Sequence, residues 1–109
     1  RQVLAAFENF DVYLTPVMAT PAPRVDWLNP LTDDLKEFDR RQSATYGTTP
    51  PANFTGQPSI SLPLWESADG LPVGMMFTAK FADEATLFRL AGQLEKEAPW
   101  KARRPRIWG

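Results

Sequence analysis

SISLPLWESADGLPVGMMFTA, residues 59–79, decides how this chain folds. Ile60, Leu62 and Leu64 fall on one side of an extended segment, and Ser59, Ser61 and Pro63 fall on the other. Pro63 has no N–H to give to a ladder, so pairing is expected to weaken there. Asp69-Gly70 is a turn signal, and VGMMFTA (73–79) follows it as a second strand. So short a connection favours an antiparallel pair. VGMMFTA is apolar on both faces, which calls for cover from both sides.

Outward from this hairpin, the C-terminal neighbour DEATLFRLAGQLEKEAP (83–99) is the clearest helix. Asp83 caps it, Leu87, Leu90, Ala91, Leu94 and Ala98 form its apolar stripe, and Pro99 ends it. On the N-terminal side, TPPANFTGQP (49–58) holds three prolines and a glycine, and is expected to be a packed turn that aims the strand. Gly56 permits a backbone conformation closed to other residues, and Pro58 sets the strand's entry angle. The Asn53 side chain is placed to satisfy loose backbone groups across the turn.

Upstream of that turn, TDDLKEFDRRQSATYG (32–47) is expected to be helical. Thr32 is the candidate cap, Asp33, Asp34 and Glu37 suit the positive end, and Gly47 stops it. Leu31, Leu35 and Phe38 repeat at helical spacing. The proline-rich run 19–30 is an extended connection. DVYLTPV (11–17) is expected to be a buried strand ending near Pro16. RQVLAAFENF (1–10) resembles a helix entered partway, with Val3, Leu4 and Phe7 on one side, which raises the expectation of a processed chain or a piece of a longer one. The long link from the first strand to SISLPL carries a helix and permits a crossover within one sheet.

Composition narrows the chemistry. One domain accounts for 109 residues. A net charge of −1 draws neither nucleic acid nor an anionic membrane. No apolar run approaches bilayer length, and there is no signal-peptide pattern, so a cytoplasmic location is expected. The absence of cysteine removes thiol catalysis and disulfides, and the absence of histidine removes the commonest general base and metal ligand. No metal or cofactor is expected. Ser59, Ser61 and Lys80 could be imagined as a home-made Ser-Ser-Lys set. The plainer reading is small serines that allow close packing and a solvated lysine at a strand end.

Taken in order, DVYLTP, the proline-rich segment, PANFTGQPSISLP, DGLPVGMMF, DEATLFRLAGQLE and APW resemble the C-terminal part of the amidase signature family. The likeness runs from about Val3 to Trp100. It implies an α/β fold in which this segment is the C-terminal portion of one amidase domain, 1–109, a mixed sheet flanked by helices. It also implies amide hydrolysis by a Ser–cis-Ser–Lys arrangement, with a neutral lysine drawing the proton from the nucleophilic serine through a second serine. None of those three groups maps onto this chain, so no catalytic residue is expected here. The segment would supply strands, a cover helix and part of the acyl pocket. The alternative is a non-catalytic binding or scaffold module derived from an amidase.

Within the resemblance, Tyr46, Asn53, Phe54 and Thr55 are the candidate substrate-binding residues, and Gly56 and Pro58 are structural turn residues. The glutamine-using amidotransferase subunits of the family carry an aspartate seven positions before the matched asparagine, where this chain has Tyr46. That disfavours transamidation of charged tRNA. It favours a general amidase acting on a small aliphatic, aryl or oligomeric amide, such as linear or cyclic nylon oligomers. Asn53-Phe54-Thr55 also spells a glycosylation acceptor, without a secretion signal to support it. Arg40-Arg41 and the group Lys101, Arg103, Arg104 and Arg106, with Trp100 and Trp108, invite a nucleic-acid reading that the acidic residues elsewhere offset. Two-faced strands and open edges point to self-association of the chain on its own.

Overall fold

The hairpin forms around Gly70, whose φ of 75° places it in the left-handed region. Its N–H donates to Ser67 O at 2.9 Å, and Ser67 N–H donates to Leu71 O at 2.8 Å. The computed structural model describes residues 5–104. Its strands are β1 (Val12–Pro16), β2 (Ser59–Glu66) and β3 (Pro72–Ala79), and its helices are α1 (Leu35–Tyr46), α2 (Pro50–Thr55) and α3 (Glu84–Glu97). Val3, Leu4, Arg106 and Trp108 lie outside the described residues.

Among the described residues the sheet order is β1-β3-β2, with both pairings antiparallel. β1 and β2 therefore run parallel to each other on either side of β3, and the long link between them crosses over one sheet. Ser59 pairs with Thr78 and Leu62 with Met75, but the register then shifts between Leu62 and Trp65. The irregularity falls at Pro63, where the missing donor was expected to weaken the ladder.

Central β3 is covered on both faces. On one, Leu62, Phe77, Ala79 and Leu87 form the buried cluster, joined by Leu90, Ala91 and Leu94 of α3. Asp83 caps that helix as expected, accepting from Thr86 N–H at 3.3 Å. On the other face, Met76 and Thr78 are buried beside Phe7, Pro51, Ala52 and Gln57. Alternation along β3 sends its residues to two different covers, one from α3 and one from α2 and the N-terminal segment.

Three local expectations need correction. β1 is an edge strand, not a buried one: Tyr13 is 54% and Leu14 51% exposed. β-branched and aromatic residues specify an extended strand, but only neighbours decide whether it is covered. The cap of α1 is Asp34, whose carboxylate accepts from Glu37 N–H at 3.0 Å, while Thr32 Oγ1 accepts from Asp34 N–H one step earlier. Segment 49–58 is not wholly a turn, because residues 50–55 make the short helix α2. Its two leading prolines occupy first-turn positions, where a helix needs no N–H donor. Of the three apolar residues at helical spacing, Phe38 is half-buried, while Leu31 is 88% and Leu35 67% exposed.

Candidate functional site

The candidate binding residues lie along the chain from the end of α1 to the end of α2. Thr45 is fully buried and donates to Arg41 O at 2.8 Å, while its own carbonyl accepts from Ala19 N–H at 3.1 Å. Two residues past the helix end, Thr48 Oγ1 donates to Val17 O at 2.6 Å. These bonds fix the exit of β1 against the end of α1. Threonine suits the task because one short side chain satisfies a carbonyl without leaving a buried charge.

α2 ends at Gly56, with φ 70° and ψ 19°, and the Gly56 N–H donates to Ala52 O at 2.9 Å. This is the left-handed helix stop that glycine adopts without a Cβ penalty. It turns the chain so that Gln57 points inward and is 7% exposed. Gln57 Nε2 donates to Ala79 O at 2.8 Å, and Thr55 Oγ1 lies 2.9 Å from Gln57 Oε1. One step on, Ala79 N–H donates to Pro58 O at 3.1 Å, and the Ser59 and Thr78 hydroxyls meet at 2.8 Å. A continuous polar seam thus joins α2, the start of β2 and the end of β3.

Tyr46 stands at the end of α1 and is 44% exposed. Phe54 is 88% exposed on α2, and Asn53 beside it is exposed too. Thr55 is half-buried, its hydroxyl turned to Gln57 and to the carbonyls of Pro51 and Ala52. The structure therefore brings Asn53, Phe54 and Thr55 onto one short helix, with Gly56 at its end. None of these four binding candidates lines the main cavities. Gln57 lines two of them. One, of about 350 Å³, also takes in Phe7, Glu8, Lys80 and Phe81; the other, of about 70 Å³, takes in Met76 and Thr78.

Gln57 is the residue that sequence reasoning passed over. Its signal was the Gly56-Gln57-Pro58 order. A left-handed glycine followed by a residue held extended before proline leaves that residue little choice of direction. Ser59, Ser61 and Lys80 are not assembled as a catalytic set: the Ser59 hydroxyl meets Thr78, and the cavity beside Lys80 is lined by neither serine.

A third cleft, of about 370 Å³, lies between the loop at 26–34 and α1. Arg41 sits 4.4 Å from the Trp27 ring centroid and donates to Trp27 O at 3.3 Å. Glu37 accepts from Arg40 at 2.7 Å and from Arg41 at 2.8 Å. These hydrogen bonds, Arg40's first, hold the Glu37 carboxyl down at about 2. Arg40 and Arg41 are thus occupied within the fold. Arg103 of the C-terminal basic group donates to Pro63 O and approaches Glu66 at 3.8 Å, which ties the tail to the hairpin. Among the described residues, no group of three or more His, Cys, Asp or Glu side chains could hold a metal ion.

The family model described as Amidase matches residues 1–88. The chain is 49% identical over 100 residues to the "Putative amidase AmiC" of Mycobacterium leprae, across 92% of this chain and 21% of that relative. It is 34% identical over 106 residues to the 6-aminohexanoate-cyclic-dimer hydrolase of Paenarthrobacter ureafaciens, across 91% of this chain and 21% of that protein. A solved structure of 6-aminohexanoate cyclic dimer hydrolase complexed with substrate superposes with a TM-score of 0.83 at 32% identity, over 96% of this chain and 23% of the other. The chain thus spans about a fifth of the length of the curated relatives it matches.

Proposed function

The chain belongs to the amidase family, and from that premise we propose that its 109 residues form the C-terminal part of one larger amidase domain. The complete enzyme hydrolyses carboxylic amide C–N bonds through a Ser–cis-Ser–Lys acyl-enzyme route, with all three catalytic groups upstream of this segment. There, a neutral lysine takes the serine proton by way of the second serine. The serine oxygen then attacks the amide carbon, and the amine leaves with a proton returned along the same relay. Water repeats the sequence on the ester. Among the described residues no helix is long and apolar enough to cross a membrane, and the reading takes the enzyme as cytoplasmic.

The observation that carries this reading is the asymmetry of the structural match, 96% of this chain against 23% of the hydrolase. Near-complete likeness on one side and partial likeness on the other support a segment cut to fit a larger catalytic unit. In this reading Tyr46, Asn53, Phe54 and Thr55 form part of the acyl-pocket wall. Phe54 offers apolar area, Asn53 an amide that both donates and accepts, and Tyr46 an uncharged ring. The Thr55 proton is directed inward, so Thr55 contributes its methyl group and shape. A wall of this kind suits a neutral aliphatic or oligomeric amide. The name of one relative, 6-aminohexanoate-cyclic-dimer hydrolase, supports that class.

The test is to assay the 109-residue chain and the complete polypeptide on simple aliphatic and aryl amides. The chain alone should be inactive. The complete polypeptide should be active and lose activity when its upstream serine is replaced. Hydrolysis by the chain alone that vanishes with Ser59→Ala or Ser61→Ala would sink the assignment.

A further inference from the structure

We infer that Gln57 is a positioning residue for the substrate wall, clamping α2 to the end of β3 through both ends of its side-chain amide. The inference rests on the amidase reading above for what the wall contacts. The clamp itself rests on geometry alone.

Gln57 is buried, and each end of its amide has a partner: Thr55 Oγ1 at 2.9 Å on α2, and Ala79 O at 2.8 Å on β3. Ala79 is wholly buried, so the acceptor cannot shift to meet a displaced helix. α2 is six residues long, opens on two prolines, and buries no residue of its own. So short a helix has little intrinsic stability, and its orientation must come from what holds it. At its C-terminal end that hold is Gln57, delivered inward by the left-handed turn at Gly56. Asn53 and Phe54 project outward from the same helix. A rotation of α2 about its proline end would carry both away from a bound substrate. A buried amide that is satisfied at both ends resists such a rotation, because breaking either bond strands a polar group.

Two substitutions in the complete polypeptide separate this role from simple packing. Gln57→Leu keeps most of the volume and removes both bonds. Gln57→Glu keeps the acceptor for Thr55, but donates to Ala79 O only when its carboxyl is protonated. Hydrogen exchange of the peptide spanning residues 50–58 is followed alongside amide hydrolysis. Gln57→Leu should accelerate exchange there, leave exchange of the β2–β3 hairpin unchanged, and raise KM about tenfold with kcat within about threefold. Gln57→Glu should match the unsubstituted enzyme more closely as the pH falls from about 8 to about 5, since burial raises a carboxyl pKa into that range. An unchanged KM in Gln57→Leu, or a Gln57→Glu penalty independent of pH, would overturn the inference. If Gln57→Leu does not fold, the pH dependence of Gln57→Glu decides. If the unsubstituted polypeptide hydrolyses no amide, the functional reading fails. Exchange then judges the clamp by itself, and an unaltered rate at 50–58 rejects it.

Discussion

Gly74 and Val17 approach so closely that a Cβ on Gly74 would stand 2.9 Å from Val17 Cγ2. Ser61 Oγ would lie 3.0 Å away on the other side, and Val17 N–H already donates to Gly74 O at 2.8 Å. The absent side chain lets the chain leaving β1 lie against the sheet. Val17 is β-branched and stiff at χ1, so it cannot swing aside at little cost.

Gly74→Ala should therefore destabilise the fold by about 1–3 kcal/mol through overpacking. Val17→Ala should recover much of that loss when combined with it, because the nearer of the two clash partners is gone. Urea melts of the two single variants and the double variant form the cycle that checks this. Strict additivity would show that the contact does not govern the effect.

Gly56→Ala should cost about 1 kcal/mol, and for a different reason. A Cβ there meets only Phe81 Cε2 at an ordinary 3.5 Å, so the penalty is backbone strain at φ 70° and not crowding. Gly56→Asn should be milder, since asparagine tolerates the left-handed region. Thermal melts of both variants test the order, and equal losses would point away from backbone strain.

Glu37 makes stability depend on pH in one direction. Its carboxyl falls from an ordinary 4.5 to about 2 in the folded chain, held by Arg40 and then Arg41. A depressed carboxyl stabilises fully above its unfolded pKa and loses that contribution as pH falls through the folded value. The Tm gap between the native chain and Glu37→Gln should be constant above about pH 5 and close between 4.5 and about 2. Added salt should narrow it throughout, because the pairs face solvent. A gap that widens on acidification would contradict the assignment.

Leu87 and Leu35 should behave oppositely in the 109-residue chain. Leu87 is 3% exposed in the core, and Leu87→Ala should cost about 2–4 kcal/mol by leaving a cavity. Leu35 is 67% exposed, and Leu35→Ala should change stability by less than about 0.5 kcal/mol. With Val25 at 90% and Leu31 at 88%, Leu35 adds to the exposed apolar surface of the loop and α1. Sedimentation over a concentration series should show self-association that weakens when these three become serine. A purely monomeric native chain would count against that surface being sticky.

The sequence by itself determined the hairpin, its turn at Gly70, the break at Pro63, helix α3 with its Asp83 cap, and the family. Each is a local matter of side-chain alternation, a missing donor, a capping carboxylate or an ordered run of residues. It also marked Gly56 as a place for a backbone conformation closed to other residues, but not as the end of a helix. Tertiary structure alone decided that β1 is an exposed edge and that β3 lies between β1 and β2. Strand identity is written in φ and ψ preferences, but neighbours come from which segments meet. The same holds for Gln57, whose partners Thr55 and Ala79 lie two and twenty-two residues away. No periodicity in a sequence encodes a hydrogen bond to a distant backbone carbonyl, because every residue type offers the same carbonyl and only the fold selects one.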